Sequence, residues 1–173
     1  LKMHGGVPKT ELKGKNIAAL EKGLPNLLKH IENITQVCGL PAVVAINKFP
    51  TDDEEELALI KTRCQELGVH VALSDVWGQG GAGGVELAEE VMRLVEQGNN
   101  KFDFLYGDEL PLRDKIRTIV QKVYGGDDVD FAAPADKELT KLEKLGFGKL
   151  PVCMAKTQSS FSDAAATLGP GRA

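Results

Sequence analysis

One stretch narrows the fold more than any other. Ala42-Val43-Val44-Ala45-Ile46 is an unbroken, mostly β-branched run, the kind of segment that a parallel sheet buries on both faces. Val69 to Leu73 reads as a second strand. Between them Leu57, Ile60, Cys64 and Leu67 recur at helical spacing, which predicts a helix with one inward face. Thr51 and Glu54 have capping-box spacing, the acidic run Asp52 to Glu56 suits the positive end of a helix dipole, and Gly68 supplies a stop. Strand, helix, strand in this order is the signature of parallel α/β architecture.

The flanks extend the pattern. Ile17, Leu20, Leu24, Leu27, Ile31 and Ile34 share one face of a helix that should end by Gly39, with a kink or restart expected at Pro25. After a loop from Ser74 to Gly84, a third helix is expected to turn Val85, Ala88, Val91 and Val95 inward and to fray at Gly98-Asn99-Asn100. From Lys101 the character changes. Phe102 to Tyr106 alternates only partly. A helix over Pro111 to Tyr124 should bury Ile116, Ile119 and Val123, and another after Pro134 should bury Leu139, Leu142 and Leu145. Leu150 to Ala155 reads as a strand leading into the polar stretch Lys156 to Asp163. The expected organisation is an α/β domain over 1–100, a small α+β subdomain over 101–163 and a flexible tail over 164–173. Leu1 to Gly6 reads as a strand end entering a loop, as in a piece of a longer chain.

The chain has 173 residues, with 21 Lys+Arg against 25 Asp+Glu, a net charge of -4. That balance argues against a general nucleic-acid binder. The three cysteines, Cys38, Cys64 and Cys153, show neither disulfide nor zinc-ligand spacing, which fits a reducing cytoplasm. No apolar run reaches the roughly 18 to 20 residues that cross a bilayer. The acids from Asp52 to Glu56 read as a solvated helix start and not as a metal site. His30 and His70 read as structural or exposed, and Ser159, Ser160 and Ser162 lack a His and Asp partner.

Ligands of open α/β sheets collect at the carboxyl ends of strands, and two loops leave such ends. Asn47-Lys48-Phe49-Pro50-Thr51-Asp52 is one; Ser74 to Gly84, with Asp75, Trp77 and Gly80, Gly81, Gly83 and Gly84, is the other. If the strands are neighbours, Phe49 and Trp77 can face each other across a slot for a flat heterocycle. A partly buried Trp77 that props its loop is an equally good reading of the residues alone. Asn47-Lys48 begins like the base-reading motif of GTP-binding proteins, but Pro50 stands where its acid belongs. No G-x-x-x-x-G-K-[ST] phosphate loop is present. His4-Gly5-Gly6 is a candidate anion nest, with a plain loop the simpler alternative.

Five segments then speak together: LKMHGGV from Leu1, PAVVAINKFPTD from Pro41, ALSDVWGQGGAGG from Ala72, Tyr124-Gly125, and FGKLPVCMAKTQ from Phe147. In wording and order they resemble formate–tetrahydrofolate ligase, from Leu1 to about Asp163. The resemblance implies a P-loop-NTPase-like, three-layer parallel-sheet half domain whose phosphate loop precedes Leu1. It also implies ATP-dependent ligation of formate to tetrahydrofolate through formyl phosphate, with ATP accompanied by Mg, in a cytoplasmic homotetramer. This chain would be the C-terminal portion, inactive alone. By the same resemblance Phe49 and Trp77 sandwich the flat ring, folate pterin before adenine, with Leu73 beside it. Asn47, Lys48, Pro50, Thr51 and Asp52 form the neighbouring loop, and Gly80, Gly81, Gly83 and Gly84 the glycine-rich turn. A noncatalytic α/β nucleotide-binding or interaction module is the alternative.

Overall fold

The computed structural model describes residues 1–154 and Phe161. Two compact units are present, Leu1–Phe102 and Asp103–Ala173. The first unit is mixed α/β: helix α1 (Ile17–Glu32), strand β1 (Val43–Asn47), α2 (Glu54–Glu66), β2 (His70–Ser74), a short α3 (Val76–Gln79) and α4 (Val85–Gln97). β1 and β2 pair in parallel in the register Val43↔His70 to Asn47↔Ser74. The core lies on one face of this sheet. Ile31, Cys64 and Val69 are buried there against Leu27, Leu28, Val44, Ile60 and Val71, so α1 and α2 lie side by side on the same face.

Asn16 caps α1, its side-chain oxygen accepting from the Ala19 N–H. The helix runs through Pro25 without the restart that was one of the two expectations there. Pro25 is exposed while Leu24 and Asn26 on either side are buried, so packing holds both halves across the one lost hydrogen bond. The helix closes in a π turn, Asn33–Val37, which leaves Ile34 exposed. The turn at Leu1–Val7 docks on α1, with the Leu1 carbonyl lying where any side chain at Gly23 would sit. Lys2 Nζ then reaches Glu56 Oε2 at 2.7 Å, and the Asn16 N–H donates to Glu56 Oε1 at 2.6 Å. Glu56 is therefore a buried anchor (6 % exposed), whereas the acidic run read as wholly solvated.

The cap of α2 is Asp53, accepting from the Glu55 and Glu56 amides, and not Thr51, because the helix begins two residues later than capping-box spacing implied. Leu57, Ile60 and Cys64 face the core as expected; Leu67 lies past the helix end and is exposed. The largest departure is α4. Val85, Ala88, Val91 and Val95 are exposed, with Met92 beside them, while Leu87 and Leu94 are half-buried. The periodicity is real, but the valine face is not the one turned to the sheet in this chain.

The second unit contains α5 (Leu112–Ile119), which continues in a π turn to Tyr124, and α6 (Ala133–Lys144). Arg113 links them, donating to Asp136 Oδ1, Thr140 and Glu143. Leu112 and Ile119 are buried, but Leu142 and Leu145 are exposed. Its described residues hold no strand, so the α+β expectation is corrected there. Leu150 to Met154 has other partners for its backbone. Lys115, fully buried, donates to the carbonyls of Gly148 and Leu150, and the Tyr106 hydroxyl accepts from the Val152 N–H and donates to its carbonyl. Groups engaged by side chains are not offered to a ladder. Ala155, most of the polar stretch from Lys156 with its serines, and the tail 164–173 lie outside the described residues. No helix among the described residues is long and apolar enough to cross a membrane.

Candidate functional site

The parallel register brings the two candidate loops together. Beyond the last rung, Asn47↔Ser74, the Lys48 N–H donates to the Ser74 carbonyl at 2.9 Å. Both loops therefore leave the same end of the sheet from adjoining strands, where peptide dipoles and backbone amides of parallel strands favour ligands.

The first loop is a tight turn held by Asp52. Its Oδ2 accepts from the Phe49 N–H at 2.8 Å, while its own N–H donates to the Phe49 carbonyl at 3.0 Å. This closes Pro50 and Thr51 into the bend and leaves the Phe49 ring 48 % exposed. The Lys48 ammonium lies 3.4 Å from Glu54. Asp53, next in the chain, is pushed up by partial burial, but the amides of Glu56 and Glu55 and the Lys15 ammonium outweigh that and hold it below the ordinary carboxylate range.

The second loop is a short helix followed by a 3-10 turn, Gly80–Gly84. Asp75 organises it. Its side chain accepts from the Gly78 N–H at 3.2 Å and from Gln79 Nε2 at 2.8 Å, and its N–H donates to the Gly83 carbonyl at 3.0 Å. A Cβ at Gly83 would overlap the Asp75 carbonyl, so glycine is required there. Gly80 takes a left-handed turn, while Gly80 and Gly81 are exposed and Gly83 and Gly84 half-buried. Trp77 is carried outward, 75 % exposed, with Val76 beside it at 50 %. Such exposure is at odds with a partly buried ring that props its loop. Leu73 is half-buried one residue before the strand end, opposite Ile46.

Phe49 and Trp77 are thus two exposed aromatic rings on loops that leave the same end of the sheet. His4-Gly5-Gly6 is different. The Gly5 amide donates to the Leu1 and Lys2 carbonyls, Gly6 to Met3, and Val7 to Lys2. These donors are taken up within the turn, so the candidate nest has no free amides among them. Sequence reasoning also missed Asp75 as the loop's organiser, although Asp75-x-x-Gly78 is the spacing of a side-chain cap. Among the described residues no three His, Cys, Asp or Glu side chains gather to hold a metal ion, and Cys38, Cys64 and Cys153 are free thiols. A family model described as formate–tetrahydrofolate ligase matches residues 1–172.

Proposed function

Because the chain belongs to the formate–tetrahydrofolate ligase family, we propose that it supplies the folate-side wall of an ATP-dependent ligase that joins formate to N10 of tetrahydrofolate. The observation behind this reading is the pair of exposed rings, Phe49 and Trp77, on loops that leave neighbouring parallel strands. The two rings hold the pterin between them, Leu73 flanks it, and the Asn47–Asp52 turn with the Gly80–Gly84 turn forms the rim. A conjugated heterocycle gains from apolar contact on both faces.

The chemistry proposed is activation of a poor electrophile. Formate attacks the γ-phosphorus of ATP, ADP leaves, and formyl phosphate results. N10 of tetrahydrofolate then attacks the formyl carbon, the C–O bond to phosphate breaks and the N10 proton passes to the departing phosphate, giving 10-formyltetrahydrofolate and inorganic phosphate. Holding the acceptor in register with a water-sensitive acyl phosphate is a positioning task, for which a rigid two-sided clamp on the pterin suffices. Phosphate handling is assigned to a Walker-type loop that these residues do not contain, within a wider P-loop-NTPase-like sheet of which residues 1–100 are one part. The Mg that accompanies ATP is proposed to arrive on its phosphates, and no step is routed through a metal held here. The proposed setting is a cytoplasmic homotetramer, with this segment inactive by itself.

The single tryptophan provides the test. Tetrahydrofolate titrated anaerobically should quench Trp77 fluorescence saturably, with affinity at least about tenfold weaker in Phe49→Ala. Quenching by ATP, unaffected by folate, would assign the slot to a nucleotide and favour a noncatalytic binding module. A full-length protein that forms no 10-formyltetrahydrofolate from ATP, formate and tetrahydrofolate would defeat the ligase reading.

A further inference from the structure

We propose that Lys48 takes the anionic tail of the folate and so sets a preference for pterins that carry a glutamate over those that do not, an inference that rests on the pterin reading given above. Tetrahydrofolate joins an uncharged ring system, through an aminobenzoyl group, to a glutamate whose carboxylates are ionised at neutral pH. Aromatic faces recognise the ring and are indifferent to the tail. Selecting the tail takes a cation.

The two loops offer one. Asn47 to Asp52 and Ser74 to Gly84 contain a single basic residue, Lys48, beside two acids, Asp52 and Asp75. Both acids are engaged as acceptors, Asp52 by the Phe49 N–H and Asp75 by the Gly78 N–H and Gln79. Their negative charge opposes an anionic tail, which leaves Lys48 as the favourable contact on these loops. Lys15 is held by two acids, Glu55 at 2.7 Å and Asp53 at 3.4 Å. Lys48 meets Glu54 at 3.4 Å, and that carboxylate is 80 % exposed. An exposed pair of this kind holds weakly. A ligand carboxylate can therefore displace Glu54 like for like, with one ion pair lost and one formed.

Register puts Lys48 on the right side of the sheet. Val44 and Val71 pair across the ladder and both pack on the core, which marks the face that α1 and α2 cover. Alternate residues of a strand share a face, so Ile46 and its partner Leu73 lie on it, and Lys48 follows. The ladder still runs there, since the Lys48 N–H donates to the Ser74 carbonyl at 2.9 Å. Lys48 thus ends the face that bears Leu73, the residue proposed to flank the ring, and is next in the chain to Phe49. Its ammonium sits on a flexible four-carbon stem, suited to following a tail.

The test titrates the chain anaerobically with tetrahydrofolate and with 6-methyltetrahydropterin, which has the ring and no tail, and follows Trp77 fluorescence. The parent should bind tetrahydrofolate about fivefold more tightly than the bare pterin. That ratio should fall to about one in Lys48→Met, which keeps the stem and removes the charge, and persist in Lys48→Arg. Glu54→Gln should widen it by removing the competing carboxylate, and added salt should shrink it in the parent by screening an exposed contact. Saturable quenching by both ligands, with the same ratio in the parent and Lys48→Met, would overturn this inference and leave the pterin reading standing. Should Lys48→Met not fold, a ratio moved by neither salt nor Glu54→Gln would overturn it equally. Quenching by neither ligand, or by tetrahydrofolate alone, would overturn the pterin reading and this inference with it.

Discussion

At the residue scale, exposure separates the side chains that serve binding from those that serve folding. Trp77 at 75 % exposed and Phe49 at 48 % lose little packing when truncated. Trp77→Ala should leave urea stability within about 0.5 kcal/mol of the parent while calorimetry shows folate binding lost. Gly83 is the reverse case. It lies in the rim turn of the proposed site, but what requires it is steric: a methyl group there meets the Asp75 carbonyl, so Gly83→Ala should cost about 1–3 kcal/mol and displace the Trp77 loop. Lys2 is the third kind. Its partner Glu56 is buried, and Lys2→Met strands that carboxylate beside the Asn16 amide. Removing one partner of a buried pair costs about 3–5 kcal/mol, which equilibrium unfolding would register; a loss below about 1 kcal/mol would show that the pair behaves as a surface contact.

At the element scale, the sequence was most legible where a period and its punctuation agree. β1, α2 and β2 have a β-branched run, one apolar stripe and Gly68 as a stop, and the structure holds all three in that order, each strand one residue later than read and the helix starting two residues later. The neighbouring of the two strands, which spacing alone left open, follows from the register Asn47↔Ser74. The valine face of α4 was not legible. Periodicity tells which residues share a face but not whether a neighbour covers it, and Val85, Val91 and Val95 stay exposed. Leu150 to Met154 misled for another reason. Its apolar run is strand-like, but the Lys115 ammonium and the Tyr106 hydroxyl take its backbone groups, and no sequence rule pairs residues about 35 to 46 positions apart. Cap identity was also hidden, since Thr51 and Asp53 both suit a helix start; only Asp53 accepts the Glu55 and Glu56 amides. Asp53→Ala should therefore speed hydrogen exchange at those two amides, whereas Thr51→Ala leaves them unchanged. The reverse pattern would return the cap to Thr51.

At the scale of the whole molecule, charge sets a window of pH. Asp53 sits below its ordinary value because amide and Lys15 contacts outweigh burial; Glu90 does so through Arg93 first, at 2.5 and 2.8 Å; Asp128 does so through Arg117 first, at 2.6 Å. A carboxyl whose folded pKa is depressed stabilises the fold fully above its unfolded value and loses that contribution as pH falls through the folded one. Stability should therefore decline below about pH 4, in both units, because Asp53 and Glu90 belong to the first and Asp128 to the second. Burial pushes the Cys64 thiol up from 9.0. A raised pKa works in the opposite sense: its contribution is whole below 9.0 and disappears as pH rises through the folded value. The melting temperature should form a plateau bounded by an acid limb and an alkaline limb. Arg93→Gln should shift the acid limb through Glu90 without touching the alkaline one. Cys64→Ala should lower the plateau by opening a cavity in the core and flatten its alkaline side. Salt separates the limbs further, since the Asp128–Arg117 pair faces solvent and the guanidinium of the Glu90–Arg93 pair is exposed, so both are screened, with a Debye length of about 10 Å at 0.1 M, while the Cys64 effect is desolvation and insensitive to salt. An acid limb unmoved by both Arg93→Gln and salt would mean that the Glu90–Arg93 contact does not persist in solution.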